Sequence, residues 1–185
     1  MQANYYDRIL VELKDTCSKF DNDSIDRLCV AILAAKRVFL AGTGRSGLMV
    51  KAFAMRLMHL GLNAFVVGET TTPGISQGDL LIIGSGSGET GSISVFAREA
   101  KEQAARLGLI TIFPDSTIGK LADFTIQVRA PTRKNVQDNG ITSMQPLGSL
   151  FEQSLLLLLD GMIMNLMERM NADPEVMFAR HANLE

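Results

Sequence analysis

The sequence predicts an α/β protein in which a parallel sheet carries helices on both faces. Two short apolar runs, at residues 38–41 and 80–83, each enter a loop of Gly and Ser and then a stretch with helical character. Strand and helix signals keep alternating along the chain, which is typical of parallel sheets. We therefore expect the strands and helices at the following positions: strands at 37–42, 63–67, 80–84, 109–113 and 124–128, and helices at 46–60 and 89–107.

Helices are also expected on either side of this alternating region. Apolar residues at helical spacing predict two leading helices within about residues 2–35, the second opening at Asp23 or Ser24. After the sheet we expect a short helix, a long helix and a last helix, the last one beginning at Pro174 with Asp173 as its cap. The short and long helices are placed at 116–122 and 147–170, and the C-terminal helical segment spans about 147–182.

The connection at 130–146 is longer than most loops in a compact domain, and it fits either a lid over a site or a disordered segment. No linker of biased composition divides the chain. We therefore expect residues 1–185 to form one domain.

Charge and cysteine content exclude several classes of protein. Lys and Arg number 18 against 20 Asp and Glu, and no basic cluster stands out, which disfavours nucleic acid as a partner. Cys17 and Cys29 lack metal-ligand spacing, so we expect neither a disulfide nor zinc. The N-terminus lacks the pattern of a secretory signal, which predicts a cytoplasmic protein. Asp160 and Gly161 interrupt the most apolar run, so we expect a buried helix and no membrane span.

The loops that follow the two apolar runs are the most informative feature for function. They read GTGRSG at 42–47 and GSGSGETGS at 84–92, and each precedes a predicted helix. Backbone N–H groups and hydroxyls at a helix N-terminus bind anions, phosphate above all. Ser85, Ser87 and Thr90 supply more hydroxyls than the single one that a helix cap needs. The sequence therefore predicts a phosphate held by the two loops.

A dinucleotide is the competing ligand for the first loop. Gly42, Gly44 and Gly47 satisfy the GxGxxG pattern, and Glu69 stands where an acidic ribose ligand would be expected. A dinucleotide site, however, would not explain the Gly and Ser residues of the second loop. A P-loop is excluded because neither loop ends in Gly-Lys followed by Ser or Thr.

Two charged residues in the loops have alternative roles. Arg45 either neutralises a phosphate or is simply solvated. Glu89 is expected to point outward and to favour the helix dipole, and a contact with a substrate hydroxyl is the alternative.

Glu152 is the candidate general base. It lies early in the long apolar helix, one turn after Gly148 and Ser149, whose small side chains would leave room for a substrate. A carboxylate among apolar neighbours suits proton abstraction, whereas the alternative is an ordinary surface glutamate near a helix start. Asp160 is the competing acid, deeper in the same helix.

The two histidines have open roles. His59 ends a predicted helix dense in Met and Leu, where a core or capping role is expected and a catalytic one is the alternative. His181, near the C-terminus, matters for function only if this tail docks on a site.

Several motifs together resemble a known family. They are GTGRSG, FAMRLMHLG, VVGET, GSGSGET, QPLGSLFEQ and the terminal RHANLE. This combination is similar to the 6-phospho-3-hexuloisomerase family, within the sugar-isomerase (SIS) domain superfamily. The similarity extends from Val38 onward, and more loosely over the two leading helices.

The resemblance implies a three-layer αβα sandwich with a five-stranded parallel sheet, a homotetramer without a cofactor or metal, and conversion of 3-hexulose 6-phosphate to fructose 6-phosphate in formaldehyde fixation. It assigns proton transfer to Glu152 and places His181 where it reaches a neighbouring subunit's site. The residues it assigns to phosphate binding, beside Arg45 from our own interpretation, are Ser46, Ser85, Gly86, Ser87, Gly88, Glu89 and Thr90.

Two further functions stay open. Phosphosugar isomerases for arabinose 5-phosphate or heptose phosphates would use the same phosphate loops, because the sequence defines the phosphate end better than the sugar end. A sugar-phosphate sensor without chemistry would also keep the loops, but it would not need Glu152 beside small residues.

Overall fold

The computed structural model describes residues 4–131 and 141–184. Within them, five strands form one parallel sheet: β1 Val38–Gly42, β2 Ala64–Val66, β3 Leu80–Gly84, β4 Arg106–Thr111 and β5 Phe124–Gln127. Their order in the sheet is β2-β1-β3-β4-β5. The α/β class and the five-stranded parallel sheet are confirmed. The alternative roles of the loop 130–146 depend largely on residues 132–140, which lie outside the described ones.

Six α-helices accompany the sheet in the described residues: α1 Tyr5–Cys17, α2 Asn22–Ala34, α3 Gly44–His59, α4 Gly91–Glu102, α5 Ser149–Met170 and α6 Pro174–Phe178. A short 3₁₀ helix, Gly119–Leu121, stands in place of the helix expected at 116–122. The Asp173 cap is confirmed, since its side chain accepts a hydrogen bond from the Glu175 amide. The second helix opens one or two residues before the predicted Asp23 or Ser24, because Asp21 is its cap and accepts from the Asp23 amide.

Helices cover both faces of the sheet, which makes three layers. Alternate residues of each strand point to opposite sides: Val38 and Leu40 pack in a core with α2, α3 and α5, while Phe39 and Ala41 pack in a second core with α4. Both cores are made of aliphatic and aromatic side chains that are almost fully buried. Burial on both faces is what a continuous apolar strand predicts.

The boundary between α4 and β4 differs from the prediction. We expected helix 89–107 and a strand at 109–113, whereas α4 ends at Glu102 and β4 already begins at Arg106. Ala104 turns the chain with a left-handed φ of 55°, and the Arg106 amide then donates to the carbonyl of Asp79. Pairing with β3 therefore overrides the helical propensity of this Ala- and Leu-rich segment.

The long helix α5 is a core helix. With 22 residues and a mean hydropathy of 1.4 it is long and apolar enough to cross a membrane by composition. Half of its most apolar window is buried inside the molecule, however, on α1, α2 and α3. Packing against these helices therefore accounts for the apolar side chains of its buried half.

Candidate functional site

The site lies where the order of strands reverses. β1 and β3 are neighbours in the sheet, but α3 leaves β1 over one face and α4 follows β3 over the other. In open parallel sheets this divergence leaves a crevice at the carboxyl ends of the two strands, which is where ligands bind. Both predicted phosphate loops open into it.

A cavity of about 440 Å³ occupies this crevice, a size usual for small-molecule sites. It is lined by both loops, the end of β4 and the start of α5. The lining residues are Thr43, Gly44, Arg45, Ser46, Gly84, Ser85, Gly86, Ser87, Thr90, Ile112, Leu147, Gly148, Phe151 and Glu152. Both loops and Glu152 are thus brought together, as the sequence predicted.

Three helices point their N-termini into the cavity. The caps of α3, α4 and α5 are Thr43, Thr90 and Gly148, and no side chain caps any of the three. By contrast, the starts of α1, α2 and α6, which do not line the cavity, are capped by Asn4, Asp21 and Asp173. Uncapped helix starts present N–H groups and a positive dipole end, so the cavity favours an anion.

The serine hydroxyls of the second loop keep a proton to donate. The oxygen of Ser85 accepts a hydrogen bond from the Gly88 amide at 3.2 Å, and that of Ser87 accepts from the Glu89 amide at 3.2 Å. These bonds fix the hydroxyl oxygens without using their O–H groups, which remain available to a ligand.

Close approach of backbone explains one glycine of the first loop. A Cβ on Gly47 would lie 2.8 Å from the carbonyl oxygen of Gly42 and 3.0 Å from its carbon. The start of α3 can therefore reach the end of β1 only if this residue lacks a side chain. Ser46 is carried into the cavity by the same close contact.

Arg45 and Glu152 form an ion pair across the cavity. Arg45 Nε lies 3.2 Å from Glu152 Oε2, and Arg45 Nη1 donates to the hydroxyl of Ser149 at 3.1 Å. The Glu152 side chain is 17% exposed and that of Arg45 is 56% exposed. Gly148 leaves space beside the carboxylate, because a Cβ there would lie 3.5 Å from Glu152 Oε1. The carboxylate of Glu152 is therefore oriented by Arg45 and faces the cavity. Arg45 is not simply solvated, because it contacts both Glu152 and Ser149.

Glu89 and Gly88 do not line the cavity. Glu89 is exposed, and its Oε1 accepts a hydrogen bond from the Thr117 amide at 2.7 Å, which lowers the pKa of this carboxyl. It precedes the cap of α4, and its exposure agrees with the expectation that it points outward, while its bond to the Thr117 amide also stabilises the neighbouring turn. Gly88 has a left-handed φ of 62° and packs against Ser116, so it determines the conformation of the loop without lining the cavity.

The two histidines meet far from the cavity of their own chain. Their rings stack with centroids 5.4 Å apart, and Arg180 donates to the carbonyl of His59 at 2.9 Å. His59 is buried as expected, and burial, Arg56 and His181 lower its pKa. Because His59 ends α3 and Arg45 lies in its first turn, the helix separates them by about 20 Å at 1.5 Å per residue. His181 therefore cannot reach Glu152 within one chain.

Other candidates lie outside the cavity. Glu69, expected to bind a ribose in a dinucleotide site, is exposed and pairs with Lys51 at 2.7 Å. Asp160 is exposed on α5, two turns beyond Glu152. Within residues 4–131 and 141–184, no group of three or more His, Cys, Asp or Glu side chains is placed to hold a metal ion.

Three residues that line the cavity were not predicted from the sequence. Thr43 belongs to the first loop, GTGRSG, and its position before a helix is the signal that could have indicated it. Ile112 follows β4, whose position was wrongly predicted. Leu147 adopts a left-handed φ of 54°, which no local pattern indicated.

Comparison with known proteins agrees with this architecture. The family model of the SIS domain matches residues 31–157. The 3-hexulose-6-phosphate isomerase of Bacillus subtilis (strain 168) is 50% identical over 99% of this chain and 98% of its own length. The enzyme of the same name from Mycobacterium gastri is 41% identical over 94% of this chain and 86% of its own.

A solved structure extends the comparison. A Methanococcus jannaschii protein, whose crystal structure was taken to infer a function of 3-hexulose-6-phosphate isomerase, superposes with a TM-score of 0.86 at 34% identity. The alignment covers 99% of this chain and all of that one. The protein is thus of the αβα class, with a cavity suited to an anion at the point where the order of strands reverses. The chain belongs to the SIS domain family and, within it, to the family of 3-hexulose-6-phosphate isomerases.

Proposed function

We propose that this chain interconverts D-arabino-hex-3-ulose 6-phosphate and D-fructose 6-phosphate, as a cytoplasmic homotetramer in the ribulose monophosphate pathway of formaldehyde fixation. The observation that carries the proposal is the convergence of three uncapped helix N-termini and one carboxylate on a single cavity. The helix ends suit a phosphate, and the carboxylate suits the carbon chemistry at the other end of the sugar.

The phosphate is assigned to the two loops. Backbone amides of α3 and α4 and the hydroxyls of Ser46, Ser85, Ser87 and Thr90 surround the place where it would lie. Holding the phosphate fixes the register of the sugar relative to Glu152, and this remote binding energy is available to orient the reacting carbons.

Glu152 is assigned the proton transfers between carbons. The reaction moves the carbonyl from C3 to C2 of the hexulose phosphate. The carboxylate removes the proton from C2, the C2–H electron pair becomes the C2–C3 double bond, and the carbonyl oxygen takes the negative charge of an enediolate. Delivery of a proton from the carboxylic acid to C3, with transfer of the C2 hydroxyl proton to the C3 oxygen, gives the C2 ketone and the C3 hydroxyl. One carboxylate serves both carbon steps.

Arg45 is assigned an orienting role. Its guanidinium contacts Glu152 and Ser149 on the first turn of α5, and its positive charge faces the cavity. In this position it directs the carboxylate and adds to the attraction for an anionic substrate and enediolate.

His181 is assigned the transfer of protons between the two substrate oxygens, in the cavity of a neighbouring subunit. The separation of about 20 Å along α3 makes a second chain necessary for this role. A tetramer is also consistent with the exposed apolar residues of α3 and α5. They are Leu48, Met55, Met58, Leu157, Met164 and Met170.

The test is incubation of the protein with 3-hexulose 6-phosphate, arabinose 5-phosphate and sedoheptulose 7-phosphate in parallel, with products identified by NMR. Conversion of the first alone to fructose 6-phosphate is the expected result. Turnover of one of the other two instead would assign a different phosphosugar isomerase. Binding of a sugar phosphate without turnover would indicate a sensor.

A further inference from the structure

We propose that Glu12, on the leading helix α1, is a positioning residue for the cavity: its carboxylate anchors the segment that carries Leu147 and Gly148 into the cavity wall. The functional part of this inference rests on the proposed isomerase activity. No motif in the sequence includes Glu12.

The contact is a dense set of hydrogen bonds between distant parts of the chain. Glu12 Oε2 accepts from the Ser143 hydroxyl at 2.7 Å and from Gln145 Nε2 at 3.0 Å. Its other oxygen, Oε1, accepts from the Met144 amide at 2.9 Å. The Ser143 hydroxyl in turn accepts from the Gln145 amide at 3.0 Å, which closes the turn on itself.

The three partners of Glu12 all donate, so only a group that accepts with both atoms satisfies them. An ionised carboxylate does this, whereas an amide would set its NH₂ group against a donor. Burial alone would raise the pKa of Glu12, but the bonds from Met144, Gln145 and Ser143, with Arg8 nearby, lower it overall. Glu12 is therefore held in the charged form that the turn requires.

The anchored turn leads directly into the cavity. Only Pro146 separates Gln145 from Leu147 and Gly148, and the carbonyl of Pro146 accepts from the Ser149 amide at 3.2 Å. The carbonyl of Gly148 then accepts from the Glu152 amide at 3.0 Å. Movement of the turn would thus shift the first turn of α5, where the proposed base is located.

Leu147 shows that this segment is under constraint. It has a left-handed φ of 54°, its side chain is 75% exposed, and it nevertheless lines the cavity. A branched side chain persists in this conformation only where its surroundings hold it there. Here the segment is held by Glu12 on one side and by the start of α5 on the other.

The test is Glu12→Gln, with Asp15→Asn as the matched control. Asp15 lies on the same helix and pairs only with Lys19 at the exposed surface in the described residues, so both variants lose one negative charge from α1. For Glu12→Gln we expect about tenfold faster hydrogen exchange at the Met144 and Gln145 amides, the size that loss of one charge-assisted hydrogen bond gives. Exchange in β1 and β3 should not change.

Steady-state kinetics supply the functional readout. We expect Glu12→Gln to raise the KM for 3-hexulose 6-phosphate about tenfold with a smaller effect on kcat, since the wall is displaced while Glu152 keeps its identity. Gln145→Leu removes one of the three donors and should shift both exchange and KM in the same direction by less. It keeps the inference testable should Glu12→Gln fail to fold.

Two results would overturn the inference. One is unchanged exchange at Met144 and Gln145 in Glu12→Gln. The other is a KM of Glu12→Gln that differs from the wild-type KM no more than the KM of Asp15→Asn does. A wild-type protein inactive on every sugar phosphate would refute the proposed function, whereas the hydrogen-exchange comparison would still test the anchor.

Discussion

Substitution of Gly47 tests the junction on which the first phosphate loop depends. In Gly47→Ala the new Cβ would lie 2.8 Å from the carbonyl oxygen of Gly42, and ordinary contact begins at about 3.4 Å. The start of α3 and the end of β1 must therefore separate by about 0.6 Å. Both crowded atoms belong to the backbone, so no side-chain rotation relieves the contact.

Overpacking of this kind costs about 1–3 kcal/mol, which lowers the ratio of folded to unfolded protein by roughly 5- to 150-fold. Urea unfolding measures that change as a lower midpoint at constant slope. Because Ser46 is the preceding residue, we also expect a higher KM for the sugar phosphate.

Gly91→Ala is the matched control. Gly91 begins α4 beside the other phosphate loop, but a Cβ there would meet nothing within 4 Å. The control should be as stable as the wild type or more stable by up to about 1 kcal/mol. If Gly47→Ala unfolded at the wild-type urea concentration with an unchanged KM, the close approach of α3 to β1 would not exist as described.

Three further predictions concern charge, phosphate binding and assembly. Burial alone would raise the pKa of Asp79, but hydrogen bonds from Arg37 and Ser76 lower it, so the charged Asp79 stabilises the fold fully above the unfolded pKa near 3.9 and loses this effect as the pH falls through the lower folded value. The difference in unfolding free energy between the wild type and Asp79→Asn should therefore shrink below about pH 4, and a difference independent of pH would refute this role of Asp79. Ser46→Ala and Ser87→Ala should each raise the KM about three- to tenfold with little change in kcat, whereas the control Ser92→Ala should keep the wild-type KM. Wild-type KM values in both Ser46→Ala and Ser87→Ala would argue against the phosphate site. A chain ending at Arg180 should assemble but turn over more slowly, as followed by light scattering and activity, and full activity of the assembled protein would remove His181 from the mechanism.

Much of the fold could be predicted because buried parallel strands leave a strong local signal. The runs at 80–83 and 38–41 are apolar on both faces of the sheet, and strands were found at both. The start of β4 was placed three residues too late because its local signal is not that of a strand. Arg106 and the residues before it favour a helix locally, and only pairing with β3, which is far away in sequence, makes them begin a strand.

The candidate site could be predicted only where its residues stand in local motifs. Both loops and the segment around Glu152 were found because each has its own pattern of Gly, Ser and acidic residues. Glu12 contacts residues more than 130 positions away, and no pattern within α1 distinguishes it from a surface glutamate. The contact of Glu89 with Thr117 was missed for the same reason, since Thr117 belongs to another turn.

The histidines show the same limit. Helical spacing placed His59 among apolar residues, and its burial agrees with that. Its stacking against His181 joins two segments over 120 residues apart, and no local pattern pairs them. A long-range contact of this kind becomes visible only in the folded chain.

In the proposed reaction Glu152 moves a proton between C2 and C3 of a bound sugar phosphate. Fructose 6-phosphate incubated with the protein in D₂O, and followed by NMR, tests it directly because the abstracted proton exchanges with solvent. We expect deuterium to enter at C3 with the wild type and at least about 100-fold more slowly with Glu152→Gln, at similar affinity for the substrate. Incorporation by Glu152→Gln at the wild-type rate would mean that a group other than Glu152 transfers the proton.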